Sequence, residues 1–242
     1  MERKLSVTIV IPVYNEEIEL SERIETLLGY CKTHIDSFDW EIVIVDNASV
    51  DKTFEIAAKL TKKYSRVHVL HLDKKGRGRA VKYAWSKSTS DFMAYMDVDL
   101  STDLRHFPPL LQSLTRGYDI AIGTRNAPGS RVYGRNFFRT LTSKGYIALI
   151  KLFFWVRLTD AQCGFKAVTK EVVKKIIPHI KDNAWFFDTE LLIFSEKSHS
   201  RIYEEPVTWV DNPGSTVRVL KTAQGDLEGL KRLFFTRPWK KQ

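Results

Sequence analysis

The feature that most constrains this chain is a rhythm in its first hundred residues. Short runs of β-branched and aliphatic residues alternate with stretches of helical periodicity. Ser6–Val13 (SVTIVIPV), Glu41–Asp46 (EIVIVD), Arg66–Leu72 (RVHVLHL) and Phe92–Asp97 (FMAYMD) read as strands. Glu16–His34, with Ile18, Leu20, Ile24, Leu27 and Leu28 at helical spacing, reads as a helix. So do Asp51–Tyr64, with Asn47 or Ser49 placed to cap it, and Gly76–Ser88. Such repetition predicts an α/β fold, with a mainly parallel sheet and helices on both faces. Ligands of such sheets bind beyond the carboxyl ends of the strands. Polar residues gather at that predicted edge: Asn15 and Glu16 after the first strand, Asp46 and Asn47 at the second, Asp97 and Asp99 at the fourth.

The second half is less regular. Tyr118–Gly123, Phe165–Val168 and Arg201–Val210 read as strands, and Asn126–Gly134, with Pro128, Gly129, Ser130 and Gly134, as a loop. Phe137–Leu158, Lys170–Ile177, Asp188–Lys197 and Thr222–Phe235 read as helices. No repeat, low-complexity segment or linker divides the 242 residues, so a single domain over 1–242 is expected. At 43% hydrophobic and 28% charged residues the chain is not a disordered one. Its two cysteines, Cys31 and Cys163, argue against a disulfide framework and fit a reducing compartment. Val7–Val13 is too short for a secretory leader and reaches Pro12 too soon, so none is expected. No run approaches the ~20 apolar residues of a spanning helix.

The formal charge is +9, which favours anionic partners. Between Arg116 and Arg157 lie eight basic residues (Arg116, Arg125, Arg131, Arg135, Arg139, Lys144, Lys151, Arg157) and one acid, Asp119. This is either a solvated basic face or a surface for anions, and the aromatic and aliphatic residues crowding it weaken the first reading. No helix-turn-helix, zinc or RNP-type pattern accompanies the charge, so no nucleic-acid partner is expected.

The sharpest chemical feature is Asp97-Val98-Asp99 at a strand end. Two carboxylates aimed into one cleft repel unless a cation or donors compensate. A hard divalent ion, Mg²⁺ or Mn²⁺, suits oxygen ligands and leaves positions for substrate phosphates. The other reading is a pair that caps the next helix together with Ser101, Thr102 and Asp103.

Three further segments stand at the same edge: Ile11–Glu16 (IPVYNE), Val45–Thr53 (VDNASVDKT) and Lys75–Ala80 (KGRGRA). Taken in order with Asp97–Leu100 (DVDL), they closely resemble the nucleotide-sugar half of the family 2 glycosyltransferases. The likeness is good over Ser6–Arg125 and thinner to Val210. It implies a GT-A (Rossmann-like) three-layer α/β/α fold, with residues 1–125 as the nucleotide-sugar half and 126–242 as the acceptor half. It places Pro12, Tyr14 and Glu16 around the nucleoside, Asp46 on the base edge, and Arg77 and Gly78 beside the nucleotide. Asp97 would lie near the ribose and metal, and Asp99 would be the metal ligand. Asn47 departs from the pattern, since many relatives have a second acid there. Tyr14 could equally pack, and Asp51 could only cap its helix.

Within that family the chain most resembles dolichyl- and polyprenyl-phosphate sugar synthases. The likeness rests on Asp97–Asp103 (DVDLSTD), Thr159–Lys166 (TDAQCGFK), Ile202–Trp209 (IYEEPVTW), Gly123-Thr124-Arg125, and Arg139 with Ser143. It implies inverting transfer of a hexose from a nucleotide diphosphate-sugar to a polyprenyl or dolichyl phosphate. UDP-glucose is the favoured donor and GDP-mannose the second candidate. Arg125 and Arg139 join Asp97 and Asp99 as catalytic candidates, and Ser143, Asp160 and Gln162 complete an acceptor site. Arg131 and Arg135 are weaker phosphate candidates. A lipid phosphate is already an anion and needs cations more than a base, and arginine's planar fork suits it.

The alternative is a family 2 enzyme with a saccharide or glycan acceptor, which would need a base at Asp160 or Glu190. A sugar nucleotidyltransferase would usually carry a glycine-rich basic loop where this chain has Pro12-Val13-Tyr14-Asn15. His68 and His71 form no metal-ligand cluster, and Cys163 is given no nucleophilic role. Gly145–Leu158 (GYIALIKLFFWVRL) is either an interfacial helix or a core helix. With Phe137, Phe138 and the tail Leu230–Lys241, it supports peripheral binding to the cytoplasmic face of a membrane. The oligomeric state stays open.

Overall fold

The structure, a computed structural model, describes residues 3–211 and 219–241; the side chains of residues 137, 219–221 and 241 lie outside the described part. The first half follows the expected alternation: β1 (Ser6–Val13), α1 (Leu20–His34), β2 (Asp39–Asn47), α2 (Thr53–Lys63), β3 (Val67–Leu72), α3 (Arg77–Lys87) and β4 (Phe92–Met96). Then come α4 (Phe107–Thr115), β5 (Ile120–Thr124), β6 (Arg131–Tyr133), α5 (Phe137–Phe154), β7 (Phe165–Thr169) and α6 (Lys170–Lys175). The chain ends with α7 (Phe187–Lys197), β8 (Ile202–Pro206), β9 (Thr208–Val210) and α8 (Val219–Thr236).

Seven strands form one sheet in the order β3-β2-β1-β4-β7-β5-β8. All neighbours are parallel except β7, which runs antiparallel between β4 and β5. Alternation along β1 divides the core. Val7, Ile9 and Ile11 face α1 and α4, packing with Leu20, Ile24 and Phe107, whereas Val10 faces Val81, Trp85, Phe187 and Leu191 of α3 and α7. Burial on both faces explains the unbroken Val/Ile runs.

Four details depart from the sequence reading. Neither Asn47 nor Ser49 caps α2. Asp51 does the work instead, its Oδ1 accepting the Thr53 N–H at 3.0 Å. The single strand expected over Arg201–Val210 is two: Pro206, which has no N–H to give to a ladder, ends β8, and the chain bends so that β9 pairs with β6. β6 itself lies in the stretch that reads as loop. α5 stops at Phe154 because Trp155 takes a left-handed conformation (φ 55°), and Val156 and Leu158 enter the core beyond the helix end.

A common trait marks the carboxyl edge of the sheet. The turns after β1, β2 and β4 each contain a non-glycine residue at positive φ: Asn15 (56°), Ala48 (61°) and Leu100 (50°). Such backbones are strained for Ala and Leu and persist only where the surroundings impose them.

Candidate active site

The turns after β1 and β2 are stitched together by the residues of their sequence patterns. Asn15 N–H donates to Ser49 Oγ and Asn15 Oδ1 accepts from Val50 N–H, both at 3.0 Å. Glu16 N–H donates to Thr53 Oγ1 at 2.7 Å, and Glu17 N–H to Asp51 Oδ2 at 3.3 Å. Asn15, Ser49, Asp51 and Thr53 therefore shape the loops. The Glu16 carboxyl is left facing the cleft, where burial raises its pKa and the charges of Glu19, Asp99 and Asp51 add to the rise. Half-buried Tyr14 carries the Lys75 ammonium over its ring at 3.1 Å, and Pro12 is half-buried within β1.

Asp46 is wholly buried at the end of β2. Its Oδ2 lies 2.7 Å from His71 Nδ1, while its Oδ1 is buried with no hydrogen-bond partner. Asn47, next to it, accepts the Gly76 N–H at 2.7 Å and so fixes the turn into α3. Gly78 meets protein: a Cβ there would stand 2.4 Å from Phe187 Cβ, so the close packing of α3 on α7 requires a glycine.

Asp97 and Asp99 follow β4 as expected. Asp97 Oδ1 lies 3.2 Å from Arg77 Nη2, and Asp97 N–H donates to Gly164 O at 3.2 Å. A Cβ on Gly164 would stand 2.0 Å from Asp97 Oδ2, so only glycine leaves that oxygen its space. Burial raises the Asp97 carboxyl; Arg77 opposes the rise, while Asp99 and Asp188 reinforce it. Asp99 Oδ1 accepts only the Ser101 N–H, at 3.0 Å, and Asp99 has no cationic side chain in ion-pair contact among the described residues. Beneath them lies a buried network that sequence reasoning missed. Arg77 is stacked on Trp185, donates to Tyr95 at 3.1 Å and lies 3.5 Å from Asp188. Tyr95 donates to Asp188, and Lys166, with no exposure, pairs with Asp188 at 2.8 Å. The available signal was a lysine between Phe165 and Ala167 in an apolar strand.

In the second half of the chain the two leading arginine candidates are each paired with a carboxylate. Arg125 reaches Asp160 through Nε (2.7 Å) and Nη2 (3.0 Å), and Arg139 holds both Asp211 oxygens at 2.7–2.8 Å. Burial by itself would raise the Asp160 carboxyl. The Arg125 charge and hydrogen bonds, with the Gln162 and Arg125 N–H groups, overcome that and hold it at about 2. Glu190 is fully buried, takes two bonds from Arg232 (2.7 and 2.8 Å) and accepts the Asp182 N–H, tying α7 to α8. Ser143 is buried one turn along α5 from Arg139. Gln162 donates to Asp226 Oδ2 at 2.9 Å. Asp226, on α8, is buried with its Oδ1 unpartnered, and burial together with the charges of Asp182 and Asp188 pushes its carboxyl up to about 7. Nothing in the sequence around Asp226 marks it. Cys163 is a buried thiol pushed up to about 11, consistent with no nucleophilic role.

Gly145–Leu158 is two-sided. Ile147, Ile150, Phe154, Val156 and Leu158 are buried, whereas Leu149, Leu152, Phe153 and Trp155 are exposed, Trp155 at 84%. Phe138, Leu141, Leu227 and Phe235 add exposed apolar surface on α5 and α8. No helix among the described residues is long and apolar enough to cross a membrane.

The chain belongs to glycosyl transferase family 2, whose pattern it matches over residues 8–177. It is 32% identical to the glycosyltransferase AglD of Haloferax volcanii over 91% of this chain and 36% of that protein. It is 29% identical to the dolichyl-phosphate beta-glucosyltransferase of Drosophila melanogaster (87% of this chain, 69% of that protein). With the dolichol-phosphate mannosyltransferase of Pyrococcus furiosus the identity is 31% (85% and 56%). The chain thus spans between 36% and 69% of the length of these relatives. Glucosyl-3-phosphoglycerate synthase of Mycobacterium tuberculosis, solved with UDP, shares the GT-A fold. Its TM-score is 0.70 at 16% identity, covering 95% of this chain and 80% of that one. The same enzyme has been solved with Mn²⁺, UDP and glucosyl-3-phosphoglycerate (TM-score 0.66).

Proposed function

We propose that this chain is an inverting glycosyltransferase that moves a hexose from a nucleotide diphosphate-sugar to a polyprenyl or dolichyl phosphate at a membrane surface. Glucose is the favoured sugar and mannose the second. Residues 1–125 form the donor half and residues 126–242 the acceptor half. The relatives named for dolichyl-phosphate glucosyl and mannosyl transfer support the acceptor class.

One observation carries the reading. The two carboxylates that a hydroxyl acceptor would need as a base are both bound to arginine: Asp160 to Arg125 and Glu190 to Arg232. A carboxylate held at about 2 is a poor proton acceptor at neutral pH. An acceptor that needs no base, such as a phosphate oxyanion, suits that site. Arg125 and Arg139, each balanced by a carboxylate, give the phosphate attraction without a net charge strong enough to trap it. A single displacement without an enzyme nucleophile inverts the anomeric centre.

The donor set at Asp97 and Asp99 fits a hard divalent cation, Mg²⁺ or Mn²⁺. Asp99 adds to the rise of the Asp97 carboxyl, Asp99 has no cationic side-chain partner among the described residues, and Gly164 leaves Asp97 Oδ2 its room. Among the described residues no third His, Cys, Asp or Glu side chain joins them, so substrate oxygens would share the ion. When bound, the ion neutralises charge on the departing diphosphate. Arg77 braces Asp97 from below, and Asp46 meets the base.

The exposed apolar residues of α5 and α8, flanked by Lys144, Lys151 and Arg157, support docking on an anionic membrane surface, at the cytoplasmic face where nucleotide sugars are made. The test is incubation with labelled UDP-glucose or GDP-mannose and polyprenyl phosphate in vesicles, followed by organic extraction. Label in the lipid phase is expected, and label only in water-soluble glycan would sink the reading. A second reading, with a saccharide acceptor, draws on Asp226, whose carboxyl near 7 has the pKa of a general base.

A further inference from the structure

Asp46 and His71 stand side by side, residues paired in register on β2 and β3. Phe54 packs an edge against the imidazole, with centroids 5.1 Å apart, and Nε2 lies 3.5 Å from Asp73. An ionised carboxylate only accepts, so the ring nitrogen facing Asp46 Oδ2 at 2.7 Å carries the proton. The other oxygen, Oδ1, is buried and has no donor, a costly condition that a ligand N–H would relieve.

We infer that His71 sets the choice of base by occupying one oxygen of Asp46, leaving a single acceptor that suits uracil and not guanine. This rests on the donor-site reading above. The edge of uracil presents one N–H between two carbonyls. Guanine presents two donors side by side, the ring N–H and the 2-amino group, and pairs best with both oxygens of a carboxylate. Here the second oxygen already receives His71. The backbone reinforces the arrangement: strand pairing places His71 beside Asp46, and the Phe54 ring limits rotation of the imidazole.

The test is calorimetric binding of UDP and of GDP, each with Mn²⁺, to the wild type, His71→Ala and His71→Gln, with melting temperatures measured in parallel. The wild type is expected to prefer UDP by about tenfold or more, a difference of the size that one lost hydrogen bond to a charged group produces. His71→Ala should shrink that preference by about tenfold, with GDP binding kept or improved, while His71→Gln, which keeps a donor, should restore it. UDP binding with an unchanged UDP-to-GDP ratio in His71→Ala would overturn this inference alone. So would a wild-type preference for GDP. Binding of neither nucleotide by folded wild-type protein would overturn the donor-site reading and this inference with it.

Discussion

The two ends of the proposed reaction path are built differently. At the proposed donor edge, Asp46 Oδ1 is buried and unsatisfied, as Asp226 Oδ1 is in the other half, and Asp99 has no cationic side chain in contact among the described residues. In the proposed acceptor half, Arg125 and Arg139 each meet a carboxylate, Asp160 and Asp211 respectively. The difference teaches which functions need an open valence. A base and a metal-bound diphosphate bring complementary donors and charge, so the protein can leave its own groups unmatched. A lipid phosphate that must arrive, react and leave meets cations already moderated by neighbours. The turns after β1, β2 and β4 each hold a non-glycine residue at positive φ, and so does the end of α5 at Trp155.

The contrast predicts activity loss without instability on one side, and both together on the other. Asp99→Ala should lower transfer about a thousandfold, since metal assistance contributes several kcal/mol, with the melting temperature nearly unchanged. Steady-state assays across a Mn²⁺ series beside thermal unfolding check it; normal turnover, or full wild-type activity in chelator, would refute the metal assignment.

Arg125→Ala should destabilise the fold by about 3 kcal/mol, because it strands the buried Asp160 carboxylate. Removing Asp160 as well should recover much of that stability but not the use of polyprenyl phosphate. Denaturant midpoints and acceptor kcat/KM for the single and double variants separate the two effects. If the double variant regains transfer, Arg125 is only a structural partner.

The smallest effect concerns Asp226. Its carboxyl stands at about 7 in the fold against 3.8 for the free side chain. Native protein therefore holds a proton over that interval that the unfolded chain has released. Stability falls as pH rises through the window and levels off above it. Asp226→Asn should flatten this slope and gain on the order of 1 kcal/mol near pH 8. Melting temperature from pH 4 to 8 measures it. Transfer activity separates the two acceptor readings: retained turnover agrees with a lipid phosphate, and its abolition with intact folding would promote Asp226 to the base of a saccharide transferase.

Much of the donor half was legible. β1, β2, β3 and β4 announce themselves as short apolar runs, and acids after β1, β2 and β4 mark the proposed ligand edge. Asn15, Ser49, Asp51 and Thr53 were visible as a pattern, but the way they stitch the loops together needed the hydrogen bonds. His71 looked like an ordinary strand histidine because its partner lies 25 residues away. Lys166, Asp188 and Asp226 escaped for the same reason: a buried polar group is recognisable only when its burial is known. β6 escaped because three residues between glycines carry too little periodicity to announce a strand.

The sequence alone determined the parallel arrangement of β1, β2 and β4 and the edge where their polar residues gather, since alternating strands and helices with right-handed crossovers send these strands in one direction. Tertiary structure alone decided which charges neutralise one another. Inserting β7 antiparallel between β4 and β5 brings Gly164 against Asp97 and Asp160 against Arg125, and packing α8 on α7 brings Arg232 to Glu190. Those pairings depend on strand order and helix placement. Coulomb interaction and desolvation act on distance in space, which local sequence pattern does not encode.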